Sequence, residues 1–310
     1  MAERVELIYK SRDGITQIHA TQWLPEERPP KAILQIVHGM KEFVDRYDGF
    51  ARYVADRGFI VVGEDHLGHG RTALSSKDLG YFADKDSDVI LVKDVHRLKK
   101  TIQAEYPGLP YFIYGFSMGS FITRKYLTMY GEGIDGAIIG GTGWVPEGLL
   151  SLGLSLTSIL TKLRGGHYRS KLVEGLSLGS YNKRIKNPKT YGDWVCTVDK
   201  VVQDYISNPR CNFCFTVNAY HTMYQIIRYI QEPKNVKRIP ENLPVIFMSG
   251  YEDPVGDYGE GVMKAAEVYM VNGMKNVSIK LYDKMRHEIH NEEKKHIVYL
   301  DMLEWLESLL

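Results

Sequence analysis

The stretch Tyr111-Phe112-Ile113-Tyr114-Gly115-Phe116-Ser117-Met118-Gly119 decides how this 310-residue chain is built. Its first four residues are a continuous apolar run, as in a strand buried on both faces of a sheet. Residues 118–130 then read as a helix. Between the two lies the pattern G-x-S-x-G. Gly115 and Gly119 relieve crowding where a Cβ would clash, and the turn lifts the serine hydroxyl above the sheet. The start of the following helix adds partial positive charge beside it. A pattern this short recurs by chance, and the plain alternative is a glycine-rich turn with an incidental serine. The strand before it and the helix after it favour a nucleophile elbow with Ser117 as nucleophile.

Outward from this turn the same rhythm repeats. Residues 5–9 and 17–23 read as a strand pair joined by the turn Arg12-Asp13-Gly14. Strands at 32–37, 59–63, 111–114 and 134–139 alternate with helices at 47–57, 87–105 and 118–130. Ser87 is the expected cap of the second helix, whose apolar face runs through Val89, Leu91, Val92, Val95, Leu98 and Ile102. Such alternation predicts a mostly parallel sheet with helices on both faces. From 144 to 240 the strand signals stop, and helix-like pieces are broken by Gly165-Gly166, Asn187-Pro188 and Asn208-Pro209. A strand at 244–249, a helix at 258–271, a strand at 277–282 and a helix at 293–309 restore the pattern. The expected organisation is a first core part at 1–143, an inserted helical cap at 144–240 and a second core part at 241–310.

A serine hydroxyl is a weak nucleophile until a base takes its proton. Where an elbow carries the serine, the acid and then the histidine follow along the chain. Asp253 lies in Gly250-Tyr251-Glu252-Asp253-Pro254, just past a strand, where open sheets gather their chemistry. Glu252 and Asp257 are the fallbacks. His287 ends Asp283-Lys284-Met285-Arg286-His287 after the last strand and is the expected base, with His290 as runner-up. Acyl transfer also needs two N–H groups to hold a developing oxyanion. Met118 supplies one, from the residue after the nucleophile. Met40 in the turn His38-Gly39-Met40 is the candidate for the other; its plain alternative is an ordinary strand–helix loop.

Thirty-nine Lys and Arg against 38 Asp and Glu leave a net charge of +1, which offers no basic face to a nucleic acid. Lys99-Lys100 and Lys294-Lys295 are expected on solvated helix faces. The three cysteines, Cys196, Cys211 and Cys214, argue against a disulfide scaffold. Cys211 and Cys214 form a C-x-x-C pair without the second pair that a structural zinc needs, so no metal or redox role is expected of them. Residues 1–10 hold no apolar run of a secretory signal, and the most apolar stretch, 149–163, is short of the roughly 20 residues that span a bilayer. These features point to a cytoplasmic protein.

His38-Gly39-Met40-Lys41-Glu42, Arg46-Tyr47, Asp65-His66-Leu67-Gly68-His69-Gly70-Arg71 and the serine motif occur in an order that resembles monoacylglycerol lipases and lysophospholipases. The likeness continues through residues 250–261 and Arg286-His287-Glu288, where bacterial members look most similar, and skips the insert. It departs at Thr72, where many members carry serine. The resemblance implies an α/β-hydrolase fold without cofactor and a cap lining an acyl pocket. It implies a triad of Ser117, Asp253 and His287 and an oxyanion hole from the N–H groups of Met40 and Met118. The implied partner is a small-molecule ester or lipid; the apolar stretch 149–163 either offers the cap a transient contact with membrane surfaces or simply packs on the core. Two other functions are weighed: a proline-releasing aminopeptidase on the same core, which would need an acidic pocket in a cap that is basic here, and a binding module without chemistry, which would usually lack a triad member.

Overall fold

Strands β1 (Glu3–Lys10), β2 (Gln17–Leu24), β3 (Ala32–Val37), β4 (Phe59–Glu64), β5 (Tyr111–Phe116), β6 (Gly136–Gly140), β7 (Val245–Gly250) and β8 (Val277–Tyr282) form one sheet in the order β1-β2-β4-β3-β5-β6-β7-β8. This is a computed structural model, describing residues 2–310. The first two strands pair antiparallel, β2 pairs antiparallel with β4, and every later pairing is parallel.

Alternate residues of the central strands feed two cores, as the two-residue period of a strand requires. Ile33, Val37, Tyr111 and Ile113 pack on one face beneath α2 (Ser87–Glu105), α3 (Met118–Tyr130) and α9 (Glu260–Val271). Leu34, Ile36, Phe112 and Tyr114 pack on the other beneath α1 (Asp48–Ala55) and α10 (Lys295–Glu307). The chain leaves β3 for β4 on one side and later returns to β5 on the other, pairing Val37 with Gly115. The reversal opens a crevice beyond the carboxyl ends of β3 and β5, where such sheets place their ligands.

Between β6 and β7 run α4 (Glu147–Arg164), α5 (Lys171–Leu178), α6 (Asp199–Ser207), α7 (Val217–Gln231) and α8 (Pro233–Val236), with only an isolated bridge from Arg169 to Thr216 in strand geometry. α7 packs on α3 and α4 and ties this segment to the core. α4 buries Leu150 and Leu154 and leaves Leu149, Leu152, Ile159 and Leu163 exposed. No helix among the described residues is long and apolar enough to cross a membrane.

Two sequence expectations fail locally. Ser87 does not cap α2: it is the first helical residue, its hydroxyl bonds Thr222 at 2.6 Å, and the capping position falls to Asp86 with φ 52°. Lys99 is not solvated. It is 3% exposed on the inner face of α2, its stem buried and its ammonium reaching Gln103 at 2.9 Å. Lys100, Lys294 and Lys295 are exposed.

Candidate active site

Ser117 stands between β5 and α3 with φ 54° and ψ −122°, outside the regions open to ordinary residues. Neighbouring backbone permits this turn only without side chains at the flanking positions. A Cβ on Gly119 would lie 1.9 Å from the Val37 carbonyl oxygen, and one on Gly115 would lie 2.2 Å from Thr123 Oγ1.

The three residues of the expected triad meet here. The Ser117 hydroxyl is 2.8 Å from His287 Nε2, and His287 Nδ1 is 2.9 Å from Asp253 Oδ2. Asp253 is fully buried in the turn after β7; it accepts the Val255 N–H at 2.9 Å and the Ser249 hydroxyl at 3.1 Å. A carboxylate with that many donors has one orientation, which fixes the tautomer of the ring it faces. Burial alone pulls the His287 pKa down; the charges of Asp253, Glu288 and Glu42 more than offset it, and the net shift is upward. The fallbacks lie elsewhere. Glu252 and Asp257 are exposed, and His290 is buried, stacked on Tyr47 and 3.3 Å from the Tyr114 hydroxyl.

The turn after β3 lies beside the serine: a Cβ on Gly39 would come within 2.9 Å of Ser117 Cβ. Gly39 N–H donates to Glu42, and Lys41 N–H donates to His69 Nε2 at 3.3 Å. The Met40 N–H lies between these two occupied donors. Met118 opens α3, where the first backbone N–H groups have no partner within the helix.

Three contacts around the base escaped the sequence. Trp194, from the segment between β6 and β7, packs its ring 5.1 Å from that of His287 and accepts the His287 N–H on its carbonyl at 3.4 Å. The Val195 carbonyl accepts the Glu288 N–H at 2.7 Å. Arg46 forks onto both oxygens of Glu288 at 2.5 and 2.6 Å, with Glu42 completing a buried charge cluster. No local signal announces the tryptophan, because its partner is 93 residues away; Arg46 and Glu42 sit in quoted motifs and could have been paired with a later acid.

The C-x-x-C pair divides. Cys211 is buried beside Arg46, Cys214 lies by Glu174, and burial pushes both thiols up to about 12. Among the described residues no group of three or more His, Cys, Asp or Glu is arranged to hold a metal ion. A cavity of about 890 Å³ opens between the β1–β2 hairpin and the stretch before α2, bordered by Ile15, Leu67, Leu74 and Phe82; Ser117, Asp253 and His287 do not line it.

Residues 28–294 match the family described as "Serine aminopeptidase, S33". The chain belongs to this family. It is a serine hydrolase of the α/β-hydrolase fold and of the lipase and esterase type. A monoglyceride lipase homolog of Monkeypox virus is 24% identical across 93% of this hydrolase and 94% of its own length. A monoacylglycerol lipase of Mycolicibacterium smegmatis is 23% identical across 93% and 92%. Among solved structures, a highly thermostable carboxyl esterase from Bacillus coagulans in complex with glycerol superposes with a TM-score of 0.92 and 32% identity, covering 100% of this hydrolase and 99% of that chain.

Proposed function

We propose that this chain hydrolyses carboxylic esters of the monoacylglycerol or lysophospholipid class through an acyl-enzyme on Ser117. The observation that carries the proposal is the unbroken line from the Ser117 hydroxyl through His287 to buried Asp253. Ser117 Oγ attacks the ester carbonyl as His287 Nε2 takes its proton, and Asp253 steadies the imidazolium. The N–H groups of Met40 and Met118 hold the carbonyl oxygen as it becomes negative. His287 returns the proton to the departing alcohol and then draws one from the water that releases the acid.

Residues 144–240 act in this proposal as the cap. Leu149, Leu152, Ile159 and Leu163 on α4, with Leu172 and Leu176 on α5, leave an apolar surface suited to meeting substrate in a lipid aggregate. The glycerol carried by the Bacillus coagulans esterase fits a glyceride leaving group. The family description names an aminopeptidase, but recognition of a free amine calls for acids, and residues 144–240 hold fourteen Lys and Arg against six Asp and Glu. A serine peptidase reading therefore has less support.

The test is a fluorophosphonate probe and p-nitrophenyl esters of graded length, on wild type and Ser117→Ala. Labelling that vanishes in the variant, with a rate optimum at medium or long acyl chains that rises further when a monoacylglycerol is presented in vesicles, is expected. An optimum at acetate would remove the lipid substrate; no labelling of folded protein would remove the enzyme mechanism.

A further inference from the structure

His38, His66 and His69 are fully buried, and their rings cluster with the His38 centroid 4.1 Å from that of His66 and 5.2 Å from that of His69. The reaction just described uses none of them. Their hydrogen bonds nonetheless converge on the turn that follows β3. The backbone N–H of His66 donates to His38 Nε2 at 3.0 Å. A backbone N–H can only donate, so Nε2 is the unprotonated nitrogen and the proton of a neutral His38 ring sits on Nδ1. Nδ1 lies 2.8 Å from the Gly39 carbonyl oxygen, so it donates there. The same logic fixes His69: Nε2 accepts from Lys41 N–H at 3.3 Å, and Nδ1–H donates to the Leu67 carbonyl at 3.0 Å.

The Gly39 carbonyl and the Met40 N–H belong to one peptide unit. That unit is planar and trans, so its C=O and N–H point in opposite directions. A donor seated on the carbonyl therefore sets where the N–H aims. The geometry points to His38 as a positioning residue: its Nδ1–H clamps the Gly39–Met40 peptide from behind and thereby aims the Met40 N–H at the substrate's carbonyl oxygen. The peptides on either side are pinned too, at Gly39 N–H by Glu42 and at Lys41 N–H by His69. With those two donors occupied, the proposal leaves the Met40 N–H as the donor of this turn that meets the oxyanion. The clamp operates with a neutral ring, and burial, reinforced by His66, holds the His38 pKa well below the ordinary histidine range. The inference rests on the reading of Met40 as an oxyanion donor.

Preorganised donors owe their effect to being aimed before the charge appears, and loss of one such donor costs about 100-fold to 1000-fold in kcat. Misaiming one should cost less, on the order of 10-fold to 100-fold, with KM within about threefold because the ground-state carbonyl needs the donor little. The experiment compares wild type with His38→Leu, His38→Asn and His38→Gln on a p-nitrophenyl ester, alongside ¹⁵N histidine spectra of the wild-type protein. Asparagine carries its amide nitrogen near the place of Nδ1, whereas glutamine carries it near Nε2. The expected results are an Nδ1-protonated His38, a kcat loss without a KM change in the leucine variant, and recovery of most of that loss by asparagine but not by glutamine. A proton on Nε2, an unchanged kcat in the leucine variant, or equal damage from asparagine and glutamine would overturn the clamp. Should the leucine variant fail to fold, the spectra and the asparagine–glutamine pair still decide. If wild type turns over the ester and Ser117→Ala does not, these failures touch His38 alone; a wild type without turnover sinks the hydrolytic reading, while the tautomer still reports on the clamp.

Discussion

Ser117 occupies a backbone conformation that costs a residue with a side chain on the order of 1–3 kcal/mol. Packing around the elbow offsets the cost: Ser117 N–H donates to Gly140 at 2.9 Å, and the Ser117 carbonyl accepts the Ser120 hydroxyl at 2.6 Å. The strained turn sets a half-buried Oγ in line with His287 Nε2. Asp253 acts on the same line from the other side, and its influence is measurable. A base works only when neutral, so the upward shift of His287 places the acid limb of the kcat/KM profile above the ordinary histidine value of about 6.5. Asp253→Asn removes the charge that raises it. We expect kcat to fall on the order of 10⁴-fold and the midpoint of the acid limb to move down. An unmoved midpoint in a pH–rate series would mean that Asp253 does not set the base. The elbow gives a second residue-scale expectation. Gly119→Ala forces a Cβ against the Val37 carbonyl, backbone that cannot step aside, and should cost more than about 3 kcal/mol in denaturant unfolding. A variant as stable as wild type would contradict that packing.

Between elements, the turn before α1 and the loop after β8 are joined by Arg46 and Glu288, both nearly buried. A buried pair adds little net stability when intact, but removing one partner strands the other and costs about 3–5 kcal/mol. Arg46→Met leaves Glu288 and Glu42 facing each other without a cation, so urea titration should show a loss of that size, and Arg46→Met with Glu288→Gln should recover part of it. Equal losses in the single and double variants would show that packing, not charge, matters here. No local signal marks the tryptophan behind His287, whereas Arg46 and Glu288 each stand in a quoted motif and only their pairing across the chain was left unread. The strand–helix rhythm could be read locally: 32–37, 87–105, 118–130 and 277–282 coincide with β3, α2, α3 and β8, since period and turn residues are local properties. Ser87 misled because its hydroxyl found Thr222 across the fold. Lys99 was legible in principle. It falls one turn after Val95 and three residues before Ile102, on the apolar face of its helix, and only the convention that charge means solvent hid it. Within the candidate site, chain order singled out Ser117, Asp253 and His287, which the fold brings into hydrogen-bond contact, while the groups packed around them appear only once the strands lie side by side.

Across the whole molecule, buried groups of opposite habit bound the pH range of stability. Burial pushes His66 and His290 down to about 3, so each stays neutral when folded and takes a proton when unfolded in acid. Stability is therefore lost as pH falls from about 6.5 toward 3. Burial also pushes Glu64 up to about 8, with Asp65 adding to the rise, and Asp94 up to about 7. These hold protons that the unfolded chain gives up at lower pH, so stability is lost as pH climbs from about 4.5 through 8. The 3.3 Å contact of Glu64 with His66 is accordingly a bond between neutral groups rather than an ion pair. Glu64→Gln should flatten the alkaline side: its Tm relative to wild type should be higher at about pH 9 than at about pH 5. A difference that does not change with pH in thermal scans would refute this account of Glu64.

The carbonyls of Trp194 and Val195 meet the backbone of His287 and Glu288, and this makes the segment between β6 and β7 a poor interchangeable part. Swapping residues 144–240 for the corresponding stretch of a relative would also replace the backing of His287. A graft that spares 193–197, where Arg286 reaches the carbonyls of Asp193 and Cys196 as well, would exchange the rest of the segment while leaving the histidine's mounting native.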